Sequence, residues 1–239
     1  MKLVGRRGLF SIPGRSIYAA SAILRVLLFR IRVALFEQRF TNEKLVDLVL
    51  ASRDIGPIQL RSELIAMLDA VRRQKPKTVL EIGTAHGGTL FLLCLASDKN
   101  GTILSIDLPG GEFGGGYPVW KTPLYRAFGR IGQRIHLLRA NSHAQETSLK
   151  IQAILAGQTV DFLFIDADHT YEGVRRDFEL YAPLVTPGGM IGFHDIAPRP
   201  PSADYGVRRF WEELKSQYSC TEIINDPNQI GYGIGLIQK

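Results

Sequence analysis

Residues 78–96 constrain the fold more than any other stretch. An apolar, β-type run, Val79-Leu80, leads through Glu81-Ile82 into a turn of small and polar residues, Gly83-Thr84-Ala85-His86-Gly87-Gly88. An apolar, helix-length segment follows, Leu90 to Ala96. The pattern is strand, tight turn, helix, with little side chain at the turn. Such a turn lets a backbone approach a ligand closely, and the helix start presents unpaired N–H groups.

The same alternation continues to the end of the chain. Strands are expected at Thr102–Asp107, Ile135–Arg139, Val160–Ile165 and Met190–Phe193, with two late strands at Cys220–Ile224 and Ile234–Ile237. Helices are expected between them at 123–131, 148–155, 174–182 and 206–217, and before the first strand at Glu43–Ala51 and Ser62–Arg73, with Ser62 or a neighbour as cap. Buried apolar strands alternating with helices predict an α/β fold: a doubly wound, mostly parallel, seven-stranded Rossmann-like sheet. At 239 residues the chain is expected to hold one domain with an appendage. The boundaries read as an N-terminal basic, helical extension over 1–54 and the main domain over 55–239. Two cysteines, Cys94 and Cys220, make neither a disulfide framework nor a metal spacing, and Cys94 reads as a buried small hydrophobe.

The net charge of +6 is unevenly placed. Residues 1–40 hold eight Lys and Arg and one acid, Glu37, leaving 21 basic against 22 acidic residues in the rest. The main domain is therefore near neutral, and the pI gives no reason to expect a nucleic-acid binder. Ile17 to Phe40 reads as a helix, with Arg25, Arg32 and Arg39 seven apart on one face. Its apolar runs are too short and too interrupted to span a bilayer, and it has no signal-peptide cleavage pattern. Three readings stand: an extra helix packed on the domain, a homo-oligomer contact, or peripheral contact with an anionic membrane. The expected location is the cytoplasm, peripheral at the membrane if the third reading holds.

Ligands of doubly wound sheets bind beyond the carboxyl ends of the strands, so those ends carry the functional reading. The turn's spacing, G-x-x-x-G-G, fits neither the dinucleotide fingerprint nor the phosphate loop. Glu81 would repel a diphosphate but suits a ligand with a positive centre and hydroxyls. The pattern E-x-G-x-x-x-G, Glu81 to Gly87, resembles the first motif of class I S-adenosylmethionine-dependent methyltransferases. Asp107 closes the second strand, where an acid can hold a ribose hydroxyl pair. Asn141 and Ser142 follow the third strand and suit an adenine edge. Asp166 and His169 close the fourth strand, and His194-Asp195 closes the fifth. Asp166 and Asp195 are expected to lie close together without an obvious cationic partner, and such a pair repels unless a cation sits between them. Hard oxygen ligands suit Mg²⁺.

The segment IDADHTYEGVRRDFELYAPLVTPGGMIGFHDI, residues 165–196, with GPIQLRSEL before the first strand, is similar to a methyltransferase family that includes metal-dependent sugar O-methyltransferases and cephalosporin-hydroxylase-like proteins. The likeness runs over about residues 55–200. It implies that Asp166 and Asp195 bind Mg²⁺ and that His169 is the general base; His194, which stands where the family has a further acidic ligand, is the third metal candidate, with a role on the substrate or a weaker metal as the alternatives. It also implies S-adenosylmethionine contacts from Glu81, Gly83, Asp107 and Ser142; Gln59, Thr84, Thr89, Asn141 and Asp166 are the further candidates for that cofactor. The expected reaction is methyl transfer to a hydroxyl of a saccharide or glycosylated acceptor. A phenolic or other small natural product is the alternative acceptor, and a non-catalytic cofactor-binding or assembly subunit is the alternative role. The glycine-rich loop Gly110–Tyr117 is a candidate lid, with Tyr117 or Trp120 as a stacking platform for a sugar.

Overall fold

A computed structural model describes residues 12–36, 40–110, 116–200 and 205–239. Residues 111–115 of the candidate lid, Glu37 and Arg39 lie outside the described residues. The elements follow the expected alternation: α1 (Ile12–Phe36), α2 (Asn42–Leu50), α3 (Arg61–Gln74), β1 (Thr78–Ile82), α4 (Gly88–Ala96), β2 (Thr102–Asp107), α5 (Thr122–Arg126), β3 (Arg134–Arg139), α6 (Gln145–Leu155), β4 (Val160–Ile165), α7 (Tyr171–Tyr181), β5 (Val185–His194), α8 (Val207–Lys215), β6 (Ser219–Ile223) and β7 (Ile234–Gln238). One seven-stranded sheet runs in the order β3-β2-β1-β4-β5-β7-β6. Strands β1 to β5 are parallel and β7 is antiparallel to both of its neighbours.

Two apolar cores result, one on each face, because successive strand residues point to opposite sides. Val79, Ile103, Phe162 and Phe164 face α2, α3, α4 and α5. Leu80, Leu104, Leu163 and Ile191 face α6, α7 and α8. Every residue of α4 is buried, as its unbroken apolar sequence requires, and Cys94 is among them.

Several local expectations need correction. Ser62 does not cap α3: Leu60 holds that position with no side-chain bond, and the Ser62 hydroxyl meets Asn225 Oδ1 at 2.9 Å instead. The helix expected over 123–131 is only the short α5. Strand β5 begins at Val185 rather than Met190, taking Pro187-Gly188-Gly189 into the strand across a register shift against β4. Tyr117 is core, 3% exposed and packed 4.7 Å from the Tyr125 ring, so it offers no stacking face. Trp120 packs against the same core.

The N-terminal helix α1 docks through one face. Val26 and Val33 enter the core and the Phe29 ring lies 5.3 Å from Phe91. Arg25 reaches Asp54 with Nε at 2.7 Å and Nη2 at 2.8 Å. Arg30 donates to the carbonyls of Ala127 and Gly129. Among the described residues no helix is long and apolar enough to cross a membrane.

Candidate active site

The carboxyl ends of β1 to β5 open into one cavity of about 540 Å³, a size suited to a cofactor-sized ligand. Its floor is the β1–α4 turn. Gly83 has φ +100, and a Cβ there would lie 1.9 Å from the Asp166 carbonyl oxygen. A Cβ on Gly88 would meet the Ile55 carbonyl at 2.3 Å. Both positions therefore demand glycine, and the backbone passes close beneath the cavity.

Of the nine expected cofactor residues, Gln59, Gly83, Thr84, Thr89, Asp107, Asn141, Ser142 and Asp166 line the cavity. Glu81 does not. It is 0% exposed, and burial, against the hydrogen bond from Ser105, pushes its carboxyl up to about 8. The expectation of an ionised acid facing a positive ligand fails for that reason. Glu81 instead accepts from Ser105 Oγ at 2.6 Å, and Ser105 Oγ lies 2.5 Å from Thr84 Oγ1. The acid thus steadies the turn from behind.

Asp107 sits at the cavity wall with its two oxygens receiving backbone N–H groups, Ala85 at 2.7 Å and Gly116 at 2.9 Å. Each carboxylate oxygen has a second lone pair, so hydroxyls of a ligand can still be accepted. On the β3 side, Asn141 Oδ1 takes the His143 N–H at 2.9 Å, and the Tyr181 hydroxyl donates to the Ser142 carbonyl at 2.7 Å.

The other half of the rim is built from charge. Asp166, His169 and Asp195 each bring a ligand-type atom within 4.8 Å of the other two. His169 Nε2 is 3.5 Å from Asp166 Oδ1 and 3.5 Å from Asp195 Oδ2. His194 Nδ1 is 3.1 Å from Asp166 Oδ1 and 3.5 Å from Asp195 Oδ2. Gln59 Nε2 donates to Asp166 Oδ2 at 2.5 Å.

The expectation that the two carboxylates lack a cationic partner is therefore wrong. Burial opposes charge on His194, but the Asp166 carboxylate and hydrogen bonds to Asp166 and Asp195 outweigh it and raise the imidazole to about 10. Burial likewise opposes ionisation of Asp166, but His194 and His169 hold it well below the usual carboxylate range. Asp195 moves the same way, with His194 overcoming burial. By position alone, His169 groups with the two acids as a set of ligand-type atoms.

Asp195 is also held in a left-handed conformation, φ +65, uncommon for a residue with a side chain. Arg199 Nη2 bonds its Oδ1, and the Tyr232 N–H donates to the same oxygen at 3.1 Å. The Arg199 guanidinium lies 3.9 Å over the Tyr205 ring, which stacks 4.8 Å from the His169 ring. Buried Glu63 fixes the loop that carries Tyr232, accepting from Gly233 N at 3.0 Å and Gln229 Nε2 at 2.6 Å. Sequence gives none of Arg199, Tyr205, Tyr232 or Glu63 a role: Arg199 reads only as part of the stiff loop Pro198-Arg199-Pro200-Pro201 near the mouth, and Glu63 only as part of the segment GPIQLRSEL.

Residues 80–196, just under half of the chain, match a family model described as a methyltransferase domain. The chain is 26% identical over 167 residues to protein y4gI of Sinorhizobium fredii, covering 69% of this chain and 17% of that protein. It is 32% identical over 118 residues to protein R132 of Acanthamoeba polyphaga mimivirus, covering 49% of this chain and 51% of that protein. It thus spans about half or less of the length of these curated relatives. Among solved structures it resembles an O-methyltransferase from Bacillus cereus in complex with SAH, with TM-score 0.56, 19% identity and coverage of 92% and 91%. It also resembles the O-methyltransferase TomG from Streptomyces achromogenes, involved in tomaymycin synthesis, in complex with SAM, with TM-score 0.51, 22% identity and coverage of 72% and 77%. At these identities the two structures establish the shared fold.

Proposed function

We propose that this chain is an S-adenosylmethionine-dependent O-methyltransferase, with the cofactor along the β1–β3 rim and the acceptor hydroxyl against Asp166, His169 and Asp195. The observation that carries the reading is the convergence of those three side chains on the wall of the same cavity whose floor is the Gly83–Gly88 turn. The methyltransferase-domain match over 80–196 supports the class, and the neighbours crystallised with SAH and SAM support the cofactor.

The residues present fit that cofactor. The glycine turn admits a ligand close to the backbone, Asp107 retains acceptor capacity for a ribose, and Asn141 and Ser142 offer polar atoms for a base edge. The methyl sulfonium of the bound cofactor supplies an electrophilic carbon. The donor set also fits a divalent cation: the two carboxylates suit Mg²⁺ or Mn²⁺. Asp166 and Asp195 would hold it, and it would supply Lewis acidity and a template for the acceptor oxygen.

The chain's own contribution is alignment and proton transfer. His169 would take the hydroxyl proton at Nε2 as the acceptor oxygen bonds to the methyl carbon, whose bond to sulfur breaks to leave S-adenosylhomocysteine. General-base assistance of this kind contributes about 10²–10⁴-fold. Positioning of the hydroxyl contributes further. The His194 imidazolium, the Gln59 amide and Arg199 keep both acids ionised and oriented. A second reading, favoured by the spacing of the three ligand-type atoms, makes His169 a cation ligand instead. A nitrogen bound to a cation cannot accept a proton, so the two roles exclude each other.

For the acceptor, we propose a hydroxyl on a saccharide or glycosylated molecule. The flat cluster of His169, Tyr205 and Arg199 also favours a phenolic ring, which the acceptor screen separates. The test is calorimetric titration with S-adenosylhomocysteine, with and without Mg²⁺, followed by methyl transfer to a panel of sugars and phenols. Binding is expected, with transfer lost on chelation. His169→Ala and Asp166→Ala are each expected to lose about 10²-fold or more. Wild-type rates in both variants would overturn the mechanism, and failure to bind S-adenosylhomocysteine would favour a non-catalytic subunit. Cation affinity retained in His169→Ala supports the base, and affinity lost supports the ligand.

A further inference from the structure

Helix α1 has two apolar faces, and the domain covers only one. On the inner face Ala22, Val26 and Val33 are buried. On the outer face Leu24, Leu27, Leu28, Ile31 and Leu35 are between 39% and 71% exposed. Their spacing, i, i+3, i+4, i+7 and i+11, draws one continuous stripe along a helix, about 16 Å long at 1.5 Å per residue. Five of the eleven large exposed hydrophobics among the described residues lie on this stripe, and the other six are scattered over separate elements. A contiguous apolar stripe marks an interaction surface, whereas single exposed hydrophobics do not.

We infer that this outer face of α1 lies on an anionic lipid surface. Charge selects the occupant. Residues 1–40 carry a net +7, while the rest of the chain carries −1. By sequence this segment is strongly basic, and anionic headgroups neutralise such charge, whereas a second copy of the same segment does not. Exposed Arg32 borders the stripe on its outer side, and the long arginine stem reaches headgroups while the leucines enter the acyl boundary. Arg25 and Arg30 turn inward, to Asp54 and to the carbonyls of Ala127 and Gly129. They pin the helix to the domain with its leucines outward. Because no described helix can cross a bilayer, the helix lies in the interface plane.

The experiment is flotation of the full chain with phosphatidylcholine vesicles, with and without phosphatidylglycerol, at low and high salt. Binding is expected only with phosphatidylglycerol and is expected to weaken with salt. The double variant Leu28→Glu with Ile31→Glu is expected to lower it at least about tenfold, with its thermal unfolding midpoint unchanged because both side chains are exposed. Absence of binding to the anionic vesicles at low salt overturns the inference. So does equal binding by the double variant. A dimer that the double variant dissolves, without vesicle binding, assigns the face to a second copy instead.

Discussion

Glu81 and Asp166 are acids at the carboxyl ends of adjacent parallel strands, yet the protein drives them in opposite directions. Glu81 is sealed behind the turn with one hydroxyl partner, and burial lifts it to about 8. Asp166 is also inside, but His194, His169 and Gln59 surround it, and it stays ionised. The β1–β3 half of the rim works through backbone shape, with glycine where a Cβ does not fit and a neutral acid as a strut. The β4–β5 half works through compensated charge. Burial by itself penalises the charged form, and the partners decide whether an acid stays ionised.

The contrast breaks most completely at the turn. Gly83→Val places a side chain against the Asp166 carbonyl, 1.9 Å from its first carbon, at φ +100. The expected cost exceeds about 4 kcal/mol, read as loss of the cooperative thermal transition. A folded Gly83→Val with wild-type S-adenosylhomocysteine affinity would show that shape is not what the turn supplies.

Next is the charged half. Asp166→Asn removes the main partner of the His194 imidazolium, and breaking a buried pair costs about 3–5 kcal/mol. The His194 ring is expected to titrate much nearer 6.5 than 10, measurable by NMR of the imidazole protons. An unmoved His194 titration would mean that Asp195 alone holds the charge.

Glu81→Gln tests the other acid through pH. The folded-state value of Glu81 lies above its ordinary 4.5. Its contribution is therefore fully present below pH 4.5 and is lost as pH rises through about 8. Without ligands, stability of the wild-type protein is expected to fall over that window by a few kcal/mol at most. The glutamine variant, tested by denaturant titration across the same range, should be flatter. A wild-type slope identical to the variant's would place the titration elsewhere.

The smallest effect belongs to the helix clamp. Arg25→Ala removes a bidentate pair whose arginine is 43% exposed, so about 0.5–1 kcal/mol of stability is expected to go. A cost several times larger would mean that the buried Asp54 carboxylate depends on Arg25 alone.

Sequence alone was enough for the sheet. Glycines at 83, 87 and 88, the apolar runs 162–165 and 90–96, and the acids closing β1, β2, β4 and β5 are local signals, because strand period and turn chemistry act over a few residues. Strand ends converge in this topology, so Asp107, Asp166, His169 and Asp195 were legible as one rim. The protonation states were not. Whether Glu81 faces the cavity depends on how β1 packs against β2, and His194 becomes a cation only because Asp166 is 3.1 Å away. Arg199, Tyr205 and Tyr232 reach Asp195 and His169 through loops whose course no local pattern encodes, and Glu63 acts on the site from 170 residues before Gly233. Local rules determined which acids and histidines reach the strand ends. Tertiary packing, which sets desolvation and charge neighbours together, decided which of them carry charge.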